Sequence, residues 1–314
     1  MATALPSDCR SPAKVAYLGT LKLDVLSKLS DAHFSGPDDI YELTDVQIRV
    51  GGTVANFVRA ARGSFARVSV IAASGDDPIS GILESQLRAE CDEALLQRCE
   101  GVPSAVVLNV RDAPNGTGRS RRLLVSSRVS PHMMLTASHV AACTKTISAS
   151  DVLVADGYLL QHSTSREALE TAFGIARQNG IGSVFDLVPH SLPGSMPAAD
   201  VIPVLRAADI VIAEARTVAG LSENRWPLTA ACQDELVSRA CTAAMRLAGD
   251  ATWILRYGFE NMEDTLILRE GRVLDVYQTG YRQASQKASF GDAQLVHELR
   301  TMLLDDAGKM RIPR

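Results

Sequence analysis

Apolar residues follow two rhythms along this chain. Short unbroken apolar runs occur at residues 14–19, 67–73, 151–155, 182–186, 209–213 and 252–256. Runs of this kind suit strands covered on both faces, as in a parallel sheet between helix layers. Between them, residues 53–62, 79–90, 165–178, 227–247 and 291–304 carry helical patterns. Gln178-Asn179-Gly180 is a helix stop, because glycine enters the left-handed conformation that follows a helix end. Strand–helix alternation over this length predicts an α/β fold, a doubly wound and mostly parallel sheet flanked by helices. No linker or repeat divides the chain, so residues 1–314 are expected to form a single domain.

Two segments break the rhythm. Residues 41–50 read as extended, and residues 105–111 and 121–127 alternate like a hairpin around Asn115-Gly116, a strong turn signal. Strands so early in the chain do not easily join the parallel core. They are expected to form a small β lid, from segments near 41–50 and 105–127, over the carboxyl edge of the main sheet. The exposed edge and face of such a lid need cover, which predicts a homodimer through the lid.

Charge and composition narrow the partners. Lys and Arg number 32 against 36 Asp and Glu, so no basic field exists to bind nucleic acid or an anionic membrane. No apolar run approaches the ~18 residues of a membrane span. Residues 1–10 lack the basic and apolar regions of a signal peptide, so the expected location is cytoplasmic. The six cysteines form no CxxC pair and the six histidines no HExxH, which leaves buried thiols and no metal held by protein side chains alone.

Three places carry candidate chemistry. Gly51-Gly52 precedes a helix that brings Asn56 one turn in, where its amide meets a ligand hydroxyl. Asp24, in the run from Gly19 that follows the first strand, is read as a loop carboxylate at the edge where open α/β sheets bind ligands. Ser289-Phe290-Gly291-Asp292 opens a helix whose unpaired N–H groups make an anion site. Asp292 there is either a proton acceptor or a plain helix cap. A dinucleotide fingerprint is missing, and Gly308-Lys309 lacks the rest of a P-loop.

In order and spacing, these motifs resemble the PfkB (ribokinase-like) family of carbohydrate and nucleoside kinases. The family's first signature is similar to Gly51-Gly52 through Asn56, continuing to Gly75-Asp76-Asp77. Its early Gly-x-x-Asn-x-Asp is similar to Gly19 to Asp24, with Lys22 in place of Asn, and its late Gly-Ala-Gly-Asp to Ser289–Asp292. The resemblance implies a ribokinase-like fold and transfer of the γ-phosphoryl group of ATP, with Mg²⁺, to a hydroxyl of a sugar or nucleoside. Asp24, Gly51, Gly52 and Asn56 would bind the acceptor. Ser289, Phe290 and Gly291 would form the anion hole, and Asp292 would be the catalytic base.

The nucleotide side departs from the pattern. The family's Asn-x-x-Glu aligns with Glu214-Ala-Arg-Thr217, so Glu214 would hold Mg²⁺ through water, and Glu214, Thr217 and Gly258 would line the cofactor. Ser289 and Phe290 add side chains to the anion hole. Only 22 residues follow Asp292, fewer than the family uses to enclose adenine. The alternative reading is therefore a degenerate member that binds a sugar or nucleoside without kinase activity.

Overall fold

The computed structural model describes residues 11–29, 43–111, 122–189, 192–224, 232–258, 262–281 and 290–309. The strands, in chain order, are β1 (Ser11–Leu18), β2 (Lys22–Leu29), β3 (Leu43–Gly51), β4 (Phe65–Ser74), β5 (Glu93–Arg98), β6 (Val106–Arg111), β7 (Arg122–Ser126), β8 (Val152–Asp156), β9 (Gly182–Leu187), β10 (Ile210–Glu214), β11 (Thr252–Tyr257), β12 (Met262–Arg269) and β13 (Arg272–Tyr281). The helices are α1 (Gly52–Ala61), α2 (Pro78–Glu90), α3 (Ala137–Ala142), α4 (Thr144–Ser148), α5 (Ser163–Gln178), α6 (Leu192–Ser195), α7 (Ala198–Ala207), α8 (Ala215–Glu223), α9 (Gln233–Ala248) and α10 (Phe290–Glu298).

Nine strands form one sheet in the order β13-β12-β11-β10-β9-β8-β1-β4-β5. From β11 to β5 all pairings are parallel; β12 and β13 add antiparallel at one edge. Successive residues of each strand feed two separate cores. Leu18, Leu153, Phe185, Val211 and Trp253 join one, with the buried faces of α5, α7, α8 and α9. Tyr17, Val154, Val184, Ile212 and Ile254 join the other, with α1 and α10. That alternation is why these strands read as unbroken apolar runs. On the second side, Phe57 of α1 stacks on Tyr17 with ring centroids 4.4 Å apart.

Local chemistry sets the helix ends. Asp77 caps α2 by accepting from the Ser80 amide at 3.0 Å, with Pro78 behind it. The same carboxylate accepts from the backbone and hydroxyl of Ser104, so Asp76-Asp77 acts here as scaffold, with Asp76 on Arg98. Asn179 closes α5 as its spacing predicted, and Gly180 follows at φ +73°.

A second sheet, β3-β2-β6-β7, is the expected lid. Two corrections apply. The run containing Asp24 is not a loop: it is β2, the lid strand that pairs β3 antiparallel and β6 parallel. The helix expected over 227–247 is α9, which begins at Gln233 after an extended Cys232; residues 225–231, like 41–42 and the Asn115-Gly116 turn, lie outside the described residues. Sequence periodicity also missed β5, β12 and β13 and the short helices α3, α4, α6, α7 and α8. The helix expected over 291–304 is α10, continued by a π-helical turn at Leu299–Leu303.

Candidate active site

Four strands of the main sheet deliver ionisable groups to one edge. Asp156 ends β8 and sits in register with Asp186 of β9, while Glu214 ends β10 opposite Arg256 of β11. Each stands two residues beyond an apolar residue of the α1/α10 core, so the pleat turns all four to that side. There α10 adds Asp292 and Glu298.

Arg256 anchors the cluster. Its Nε donates to Glu298 Oε1 at 3.0 Å and its Nη2 to Oε2 at 2.6 Å, a two-pronged pair with Glu298 fully buried. Its Nη1 lies 3.6 Å from Asp186 Oδ1, which accepts no hydrogen bond. Burial pushes Asp186 up to about 7 against the pull of Arg256. Asp156 is fully buried and raised to about 6, chiefly by burial. It accepts from the Thr53 hydroxyl and from the amides of Thr20 at 3.1 Å and Tyr158 at 2.8 Å.

Asp292 lies in the first turn of α10, half-buried. Its carboxyl is pushed up to about 8, first by burial and then by the charges of Asp186 and Asp156, and a hydrogen bond from Asn56 opposes the shift. Asn56 in turn accepts from Arg59 Nη2 at 2.7 Å, and Arg59 Nη1 donates to the Val50 carbonyl at 2.8 Å. Asn56, expected to meet the acceptor, is thus bonded on one side to Asp292 and on the other to Arg59.

The lid stands over this edge. Gly52 begins α1 at φ +80°, with the Thr20 carbonyl where a Cβ would sit. Gly51 leaves room for the Asp24 carboxylate, which any Cβ there would strike. Asp24 pairs across the lid with Arg49, Nη2 to Oδ2 3.8 Å, and Lys22 Nζ rests 4.5 Å over the Tyr158 ring. Burial lowers the Lys22 pKa, opposed by Asp156 and Asp24.

Asp24, Gly51, Gly52, Asn56 and Asp292 therefore converge. Phe290 begins α10 and Gly291 follows beside Asp292, with no atom of the described residues within 4 Å of where a Cβ would sit. Ser289 lies outside the described residues. Glu214 is at the edge with Arg216 Nε 3.5 Å away, and Gly258 directly follows β11. Thr217 is wholly buried inside α8 and presents no surface to a cofactor. Spacing could not name Asp186, Asp156, Arg256, Glu298, Arg49 or Arg59, although both aspartates stand at the carboxyl ends of apolar runs, which is itself a signal.

No family model and no curated protein matches the chain. Solved structures do. Ribokinase from Giardia lamblia superposes with TM-score 0.69 at 16% identity, covering 91% of this chain and 81% of that one. The fold is ribokinase-like. Adenosine kinase from Sinorhizobium meliloti gives TM-score 0.67 at 17% identity over 96% of this chain and 91% of its own. Fructokinase with bound ATP from Xylella fastidiosa gives 0.62 at 13% over 94% and 85%. The ribokinase-like frame accounts for the mostly parallel sheet and its separate small sheet. Among the described residues no helix is long and apolar enough to cross a membrane.

Proposed function

We propose that the protein is a kinase that transfers the γ-phosphoryl group of ATP to a hydroxyl of a sugar or nucleoside. The observation that carries this reading is Asp292, a carboxyl with pKa about 8 at the start of a helix, held by Asn56 beneath the lid that carries Asp24. A general base works best when its pKa lies near the operating pH. Asp24 would accept from hydroxyls of the acceptor and place one of them against Asp292, which takes its proton as the oxygen attacks. The N–H groups of the first turn of α10 would steady the charge of the transferred group.

The residues fit a hydrated magnesium ion. The buried Asp186 Oδ1 lacks a hydrogen bond, Glu214 stands on the same side of the edge, and the described residues hold no three-ligand cluster that would bind the ion directly. Asp186 and Glu214 would hold it through water. Magnesium and ATP supply the transferable group and neutralise its charge.

The lid also supports a homodimer. Ile48, Val25, Leu108 and Val125 lie in register across all four lid strands, on the face opposite Asp24 and Arg49. Ile48 is 67% exposed and Val125 46%, an apolar row that a second copy of the same lid would cover.

The test is ATP consumption against a panel of sugars and nucleosides, by wild type and by Asp292→Asn. Phosphorylated product from wild type, lost in the variant, supports the kinase. If no acceptor is phosphorylated and ATP gives no thermal stabilisation, the reading of a ligand-binding protein without kinase activity replaces it.

A further inference from the structure

We propose that the acceptor carries an anionic group, a carboxylate or a phosphate ester, and that Arg49 receives it with Lys22 alongside. The inference rests on the kinase reading of the same cleft and names the class of its acceptor as a sugar acid or sugar phosphate.

Two arginines of the cleft make the argument. Arg256 grips Glu298 through one edge of its guanidinium, Nε and Nη2 donating to the two carboxylate oxygens. Arg49 turns the same pair of donors, Nε and Nη2, away from solvent, and neither makes a hydrogen bond. Asp24 does not fill that role. At 3.8 Å its Oδ2 is too far from Nη2 to accept a hydrogen bond, and Nε has no hydrogen-bond partner either. A guanidinium edge is shaped for a planar pair of oxygens, as a carboxylate or phosphate presents. Buried donors left unpaired are costly, so an occupant is expected at that edge.

Further cations stand close to Arg49 on the underside of the lid. Lys22 and Asp24 lie on the same face of β2, opposite Gly51 and Arg49 of β3, so Lys22 Nζ and the Arg49 guanidinium flank Asp24 on the underside of the lid. Arg59 reaches the same place from α1, where burial and then the charge of Arg49 lower its pKa against Glu90, Asp24 and Asp292. Nearby His132 is buried, lowered to about 4 by burial and by Lys22, and so stays neutral. Lys22 is answered by Asp156 and Asp24, and Arg59 by Glu90, Asp24 and Asp292. The open demand is the Arg49 edge, which one anionic group fills with two oxygens at once, a stronger match than separate sugar hydroxyls give.

The experiment is calorimetric binding without ATP at low ionic strength, using matched pairs: an aldonic acid and its aldose, and a sugar monophosphate and its parent sugar. For wild type, at least one anionic member should bind roughly 10- to 100-fold tighter than its neutral partner. The pair that shows the ratio separates carboxylate from phosphate. Arg49→Gln should erase it, Arg49→Lys should keep a part, and Lys22→Gln should reduce it independently, with thermal unfolding confirming that each variant is folded. Equal binding of the paired members, including no binding of either, overturns the inference, as does an undiminished ratio in Arg49→Gln. Turnover is read separately. Anion preference without phosphoryl transfer overturns the kinase and leaves this site standing, while phosphorylation of neutral acceptors alone does the reverse.

Discussion

Replacing Asp292 with asparagine separates its chemistry from its cost to the fold. The carboxyl sits at about 8 because of burial and then Asp186 and Asp156, against Arg256 and Asn56. In the unfolded chain an aspartate titrates near ~3.9. Between those values the folded protein keeps a proton that the unfolded chain has released. Stability therefore falls as pH rises, by about 1.36 kcal/mol per pH unit, from near pH 4 until it levels near pH 8. Unscreened, the whole fall is about 6 kcal/mol. Solvent at a half-buried carboxyl reduces it to roughly 1–3 kcal/mol.

The Asp292→Asn variant carries no such proton. Both proteins should unfold at the same temperature near pH 4, and the variant should be more stable by roughly 2–5 °C at pH 8. Because three carboxyls titrate together, the midpoint of that rise belongs to the cluster. Thermal unfolding by circular dichroism across this range measures it. Turnover of the variant should meanwhile fall by ~10²–10⁴ with little change in acceptor binding. The opposite sign refutes the reasoning. If wild type gains on the variant as pH rises, the ionised carboxylate is stabilising α10 as a cap, and the proton-acceptor role is lost.

Three further outcomes follow from the geometry. Asp24→Asn should weaken acceptor binding by ~1.5–3 kcal/mol with an unchanged unfolding temperature, and unaltered affinity would remove Asp24 from the site. Glu298→Gln strips Arg256 of its buried partner and should cost about 3 kcal/mol in urea unfolding; a midpoint equal to wild type would show the pair to be dispensable. Ile48→Asp should turn a dimer into a monomer in sedimentation, and a wild type that is already monomeric would end the lid-pairing idea.

Legibility in the sequence followed burial. Strands covered on both faces, such as β8 and β10, were plain as apolar runs, and their ends agree with the structure to within a residue or two. The antiparallel edge was not. Val273, Leu274 and Val276 of β13 are all more than half exposed, so no rhythm marks the strand. Asp24 was found but misplaced, because β2 is a strand of a lid whose pairing with β3 and β6 is invisible in local sequence. Nothing in the local sequence marks Arg49 or Arg59. Only the pairing of Asp24 with Arg49 brings the first to the site, and only the Val50 carbonyl and Asn56 fix the second.

One register decides both uses of the lid. In β3, Ile48 and Arg49 are consecutive, so the pleat sends them to opposite faces, the first to the apolar row and the second to Asp24. A slip of one residue between β2 and β3 would exchange the two faces, putting apolar side chains over the carboxyl edge and charges where a second copy would pack. Gly51 and Gly52 fix that register from below. Gly51 faces Lys22 in the ladder and has the Asp24 carboxylate where a Cβ would be, and Gly52 turns directly into α1 against the Thr20 carbonyl. The paired glycines therefore act twice: they let the backbone approach, and they tie the strand that carries Arg49 to the helix that carries Asn56. The placing of Asp24 on the lid and of Asn56 against Asp292 is in this way set by a single strand-to-helix junction.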